Sequence, residues 1–177
     1  MSLLSVRNLD VGYPIGGGLL RKSTLLPIVR DVSFELEAGK TLGIVGESGC
    51  GKSTLGRAIL QLVPPSAGQV LFEGTDLASL PADALRKRRS EMQIIFQDPV
   101  AALDPRMTLG RIITRPLAIF EPGLSRAELH NRAVAALEQV GLSADFAARY
   151  PHELSGGQAQ RVGIARAIIG KPKLIIC

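Results

Sequence analysis

No tryptophan occurs in this chain, and aromatic residues make up only 4% of it. Hydrophobic content is nonetheless 46%, so a core has to be built from Leu, Ile, Val and Ala. There are two cysteines, Cys50 and Cys177, far apart in sequence. That spacing excludes a disulfide framework and suits a reducing compartment. No apolar run is long enough to span a bilayer, so any work at a membrane passes through a partner. The N-terminus lacks a basic stretch followed by a long apolar one, and no signal peptide is expected. Internal repeats and low-complexity tracts are also missing.

The 177 residues suffice for one compact domain with a real core. A net charge of +5 and a pI near 9.6 admit an acidic partner: nucleotide, nucleic acid or anionic lipid. Charge alone does not choose among them.

The most informative stretch is Gly46-Glu47-Ser48-Gly49-Cys50-Gly51-Lys52-Ser53-Thr54. It fits G-x-x-x-x-G-K-[ST], the phosphate-binding P-loop. The apolar run Thr41-Leu42-Gly43-Ile44-Val45 before it reads as a buried strand, and residues 55–63 after it read as a helix. Glycines let the backbone turn tightly, so that successive N–H groups face an anion, and the helix N-terminus adds partial positive charge. In such a loop Lys52 reaches the β- and γ-phosphates, and the Ser53 hydroxyl takes a place on Mg²⁺.

Elsewhere the pattern alternates strands and helices. Residues 2–9 read as a strand ended by Tyr13-Pro14, and residues 16–27 as a Gly-rich loop. Residues 28–37 alternate as a half-buried strand, with Val32, Phe34 and Leu36 on one face. Residues 69–73 read as a short strand. Pro81 opens a helix to about Ser90, and residues 92–96 read as a buried strand ended by Gln97-Asp98-Pro99. The cluster Arg86-Lys87-Arg88-Arg89 is either a solvated helix face or a contact with phosphate or an acidic surface. From Thr108 to about Tyr150 the period becomes helical, with Pro116 marking a kink or break. Ser125-Arg126-Ala127-Glu128 fits a capping box, and Gly141 fits a left-handed stop. Residues 158–169 read as a further helix, and Lys173-Leu174-Ile175-Ile176-Cys177 as a buried strand.

A second motif, Leu154-Ser155-Gly156-Gly157-Gln158, stands just before that last helix. A hydroxyl and two glycines at a helix start form either a second anion site or a Gly-rich cap. Gln160-Arg161-Val162-Gly163-Ile164-Ala165-Arg166-Ala167 follows it. With the P-loop, these segments closely resemble the ATP-binding subunit of ABC transporters, over effectively the whole chain. Phe96-Gln97-Asp98-Pro99, Pro105-Arg106-Met107-Thr108 and Tyr150-Pro151-His152-Glu153-Leu154 resemble its peptide-import branch, which handles oligopeptides, dipeptides or nickel complexes.

The resemblance implies an α/β fold: a RecA-like P-loop NTPase core, an N-terminal antiparallel β subdomain and an inserted α-helical subdomain. It implies one partial ABC domain over 1–177, with β subdomain and core over 1–100 and 159–177, and the helical insert over 101–158. It matches Tyr13 to the aromatic that stacks on adenine; otherwise Tyr13 is a core residue beside a turn. Gly46, Glu47, Ser48, Gly49, Cys50, Gly51, Lys52, Ser53 and Thr54 match the nucleotide-binding positions. Gln97 matches the loop glutamine that approaches Mg²⁺ and the attacking water; otherwise it makes a strand-end hydrogen bond. The metal set is thus Ser53 with Gln97. Leu154, Ser155, Gly156, Gly157 and Gln158 match the signature that binds ATP held by the opposite subunit.

The implied cofactors are ATP and Mg²⁺. The implied partners are membrane permease subunits, a homologous ATPase subunit in a head-to-tail dimer and, indirectly, a substrate-binding protein. Nucleic acid is not expected. The implied location is the cytoplasmic face of the inner membrane, as a peripheral subunit. The chain stops before the family's Walker B aspartate and catalytic glutamate, so the fold is expected to be incomplete at its C-terminus and hydrolysis very slow. Its final strand is expected beside the P-loop strand, with an exposed edge. Neither His130 nor His152 follows a last core strand, so neither serves as the switch histidine. Two other readings stay open: a soluble ABC ATPase acting on nucleic acid or ribosomes, and a nucleotide-binding fragment without hydrolysis.

Overall fold

The computed structural model describes residues 2–16 and 24–177. It divides into two compact units, Met1–Leu85 and Arg86–Cys177.

In the first unit, β1 (Ser2–Ile15) pairs antiparallel with β2 (Thr24–Glu37) on one side and with β3 (Ala67–Phe72) on the other. The short β4 (Thr75–Asp76) completes a sheet ordered β2-β1-β3-β4. Leu4, Val6, Leu9, Val11, Val70 and Phe72 are buried, and the helix α1 (Lys52–Ile59) adds Leu55, Ala58 and Ile59 to this core. Strand β1 does not end at Tyr13-Pro14 as the sequence suggested. Tyr13 pairs with Leu26 and Pro14 with Leu25, so residues 24–27 are strand as well. Proline fits here because β3 leaves β1 after the Asp10–Ala67 pair, and beyond it β1 has one neighbour only. Of the expected Gly-rich loop, residues 17–23 lie outside the described residues.

The expected strand at Thr41-Leu42-Gly43-Ile44-Val45 does not form. Residues 41–47 carry no regular secondary structure, and Leu42, Ile44 and Val45 are exposed. A strand takes its hydrogen bonds from neighbours, and no described strand pairs with this segment. Helix α1 begins three residues earlier than the apolar pattern indicated and ends at Ile59. Its end is set by the Leu62 amide, which bonds the Arg57 carbonyl at 2.8 Å, with Gln61 at φ +56°.

The second unit begins within the helix α2 (Ala82–Arg89), where its basic cluster starts. Strand β5 (Met92–Ile94) and β6 (Leu174–Ile176) form a two-stranded parallel sheet, extended by the Ile95 amide on the Ile176 carbonyl at 2.8 Å. The final strand therefore pairs with β5 and not with the P-loop segment, as had been expected. The helices α3 (Leu109–Phe120), α4 (Arg126–Gln139) and α5 (Gly156–Ile168) share one core of Leu109, Ile112, Ile113, Leu137, Val162 and Ala165.

Helix α3 runs through Pro116 without a break. The proline forfeits one amide bond, but Ile112, Ile113 and Leu117 are buried on either side of it. The Ser125 capping box is present: the Glu128 amide donates to Ser125 Oγ at 3.2 Å, and the Ser125 amide to Glu128 Oε2 at 2.8 Å. Gly141 sits at φ +73° just past α4, as the stop required.

Candidate functional site

The P-loop is a turn held by its own lysine. The Lys52 ammonium donates to the carbonyls of Gly46 at 2.8 Å and Glu47 at 2.7 Å, and lies 3.6 Å from Cys50 Sγ. The Cys50 amide closes the turn on the Glu47 carbonyl at 3.3 Å. Gly51 caps α1 at φ +101°, and a Cβ there would stand 3.0 Å from the Ile28 carbonyl oxygen. Only glycine supplies that conformation at that distance from β2. The first helical bond of α1 is Leu55 N to Gly51 O at 2.8 Å. The amides of Lys52, Ser53 and Thr54 precede it and are not used by the helix ladder. Three amides outside the helix ladder, without a partner among the described residues, an ammonium and the exposed Ser53 hydroxyl at one helix N-terminus are a donor set that fits a polyphosphate and not a cation.

Tyr13 is half exposed and belongs to the same unit as the P-loop. Tyr13 lies two residues past Val11, whose partner Val29 reaches within 3.3 Å of the Cβ position at Gly51, with a register shift between Val11 and Gly12. Leu26, 47% exposed and directly opposite Tyr13, was not marked by sequence reasoning, because only the hairpin register brings the two together.

Gln97 and the signature lie in the second unit. Gln97 is exposed, just past β5. Asp98 Oδ1 accepts from the amides of Val100 and Ala101, both at 3.1 Å, and shapes the loop that follows. Further along, the Arg106 amide and then its guanidinium hold the Asp104 carboxyl below its ordinary range. Ser155 caps α5 in a capping box that the sequence spelled as S-x-x-Q and that passed unread there. The Gln158 amide donates to Ser155 Oγ at 3.4 Å, and the Ser155 amide to Gln158 Oε1 at 2.9 Å.

Gly156 and Gly157 are exposed, and a Cβ on either would meet nothing within 4 Å. This chain's own packing does not require glycine at these positions. Beside them an open cleft of ≈ 340 Å³ is lined by Ser155, Gly157, Gln158, Arg161, Ser143 and Phe146. Leu154 packs on the helical core. His152 stacks on Tyr150 with ring centroids 5.8 Å apart, and His130 is exposed on α4.

Among the described residues no helix is long and apolar enough to cross a membrane. A sequence model of the ABC transporter family matches residues 29–177. The oligopeptide transport ATP-binding protein OppF of Haemophilus influenzae is 51% identical over 99% of this chain and 54% of its own length. The probable peptide ABC transporter ATP-binding protein y4tS of Sinorhizobium fredii is 52% identical over 99% of this chain and 50% of its own. The chain therefore spans about half the length of the curated relatives it matches. Among solved structures, the dimeric post-hydrolysis state of the ATP-binding cassette MJ0796, bound to ADP and Pi, superposes with a TM-score of 0.85. It is 31% identical over 97% of this chain and 72% of that one. CbiO1 from Clostridium perfringens, part of the transporter complex cbiONQ, gives a TM-score of 0.78 at 25% identity over 98% of this chain and 64% of that one. The α/β architecture is thus that of the RecA-like P-loop cassettes, and this chain belongs to the ABC transporter family.

Proposed function

We propose that this chain is the ATP-binding, energy-coupling part of a peptide importer. The observation that carries the reading is the turn before α1, whose carbonyls the Lys52 ammonium holds and whose following amides stand outside the helix ladder. The names of its relatives supply the transport context.

In this reading Lys52 exchanges its carbonyl partners for β- and γ-phosphate oxygens. The amides of the loop and of the first turn of α1 bind the same phosphates, and Tyr13 with Leu26 supports the adenine. Bound Mg²⁺ would supply charge neutralisation of the phosphates. Ser53 would ligate it directly and Gln97 would approach it, in keeping with a cation that keeps few protein ligands beside its phosphates. The glycines 156 and 157 leave room for a partner's ATP to approach Ser155, which supports a head-to-tail dimer with a homologous subunit. Membrane permease subunits then receive the stroke at the inner face of the membrane, where this peripheral chain resides, and a substrate-binding protein delivers the peptide to them.

In the basic cluster on α2, at least one of the four cations is spent within the chain. Arg88 is paired with Glu91 at 3.0 Å, and Glu91 also bonds Lys173 at 3.5 Å. The test is reconstitution with the permease subunits in vesicles. Peptide uptake should require ATP on the side of this chain and stop in Lys52→Ala. Uptake that is indifferent to Lys52, or salt-sensitive RNA binding in its place, overturns the reading.

A further inference from the structure

One side chain grips both flanks of Gln97. Arg166, in the last turn of α5, donates from Nη1 to the Ala102 carbonyl at 2.6 Å, across 64 residues of sequence. Its guanidinium carbon also stands 6.0 Å from the centroid of the Phe96 ring. Phe96 directly precedes Gln97, and Ala102 ends the turn that Asp98 closes. One guanidinium therefore bonds the far end of the loop and lies near the ring that opens it. Arg166 is half-buried, and desolvation pulls its pKa down. A charge placed there at a cost in desolvation has to be returned by its contacts. A short bond from a cation is about twice as strong as a neutral one. Only a planar cation can meet the carbonyl edge-on while lying over a ring. At its other end the same helix carries Ser155 and the two exposed glycines.

We propose that Arg166 is a positioning residue for Gln97, tying the loop 97–102 to the helix that presents the signature so that the two motifs move as one body. The tie itself stands on the contacts above. Its consequence for nucleotide rests on the reading of Gln97 given under the proposed function. Without the tie, Gln97 hangs on a loop held by Asp98 and by the Leu103 amide, which bonds the Val100 carbonyl at 3.1 Å, and movement at that loop is passed less directly to Ser155.

The absence of tryptophan gives a direct test. Val100→Trp, at a position 52% exposed and outside the binding machinery, places one indole reporter in the loop. In that background Arg166→Gln should raise acrylamide quenching of the indole and lower its anisotropy. Loss of one charge-assisted bond shifts the loop's docked-to-free ratio about tenfold. Arg166→Lys keeps the cation but not the plane and should fall between the two. Should Arg166→Gln fail to fold, Arg166→Lys carries the test alone. Quenching equal to that of the parent in a folded variant overturns the proposal.

A second arm separates positioning from packing. The gain in ATP affinity on adding Mg²⁺ should shrink in Gln97→Ala and in Arg166→Gln, and no further in the double variant. Additive losses overturn the positioning role. If the parent chain binds no ATP at all, the proposed function fails, and the quenching arm still judges the tie.

Discussion

The Lys52 ammonium stands 2.7 Å from the Glu47 carbonyl oxygen, so the cation that should meet phosphate closes its own loop. Both bonds of Lys52 are solvent-exposed, and exposed polar contacts contribute within about 0.5 kcal/mol. Lys52→Ala should therefore melt within a few degrees of the parent. The difference should emerge with ligand. MgATP at about 100 times its Kd stabilises the parent by about 2.7 kcal/mol through mass action, and at the same concentration should stabilise Lys52→Ala by no more than about 1.4 kcal/mol, what a tenfold weaker site gives. Thermal melts with and without MgATP read both effects.

Gly51 and Gly157 should respond to alanine in opposite ways. Gly51 holds φ +101° with the Ile28 carbonyl 3.0 Å from its missing Cβ, so Gly51→Ala should cost about 1–3 kcal/mol and disorder the loop. Gly157 lies at a helix start with open space before it, where alanine is favoured over glycine by up to about 1 kcal/mol. Gly157→Ala should melt no lower than the parent yet weaken MgATP-dependent dimerisation. Melting curves and sedimentation velocity distinguish the two.

The capping box of α4 gives a pH-dependent prediction. Ser125→Ala should destabilise the helical unit by about 1 kcal/mol. The hydroxyl and then the amide of Ser125 hold the Glu128 carboxyl below its ordinary range. A carboxylate depressed in the folded state stabilises it above the unfolded pKa, and that contribution fades as pH falls through the folded value. Glu128→Gln should accordingly melt below the parent at neutral pH and converge with it in acid. A gap that widens in acid would contradict the assignment.

Cys50 reports on the cradle. Its sulfur lies 3.6 Å from Lys52 Nζ and is exposed, as is Cys177. Maleimide labelling of Cys50 should slow when MgATP is present, while labelling of Cys177 is unaffected. Equal slowing at both, or at neither, would show that nucleotide does not cover the turn.

Much of this site was legible because its signals are local. A P-loop, a capping box at Ser125 and a stop at Gly141 each need only a few adjacent residues. The capping box of Ser155 and Gln158 is equally local, yet sequence reasoning found there only an anion site or a Gly-rich cap. What could not be read depends on partners distant in sequence. Val45 looks like core in an apolar run, but a strand exists only when another strand bonds to it. Pro14 looks like a terminator, yet it is tolerated where β1 has one neighbour. Pro116 looks like a break, but the burial of Ile113 and Leu117 carries α3 through it. Leu26 faces Tyr13 only in the register of the hairpin, and Arg166 finds Ala102 across 64 residues.

The claim beneath all of this is that the turn before α1 holds phosphate, and that Lys52 is its cation. Calorimetric titration with ATP, ADP and AMP in the presence of Mg²⁺ tests it most directly. Affinity should fall from ATP to ADP and largely vanish for AMP, and Lys52→Ala should lose at least about tenfold for ATP, one charge-assisted bond's worth. Equal affinity for AMP and ATP, or unchanged ATP binding in Lys52→Ala, would contradict the account.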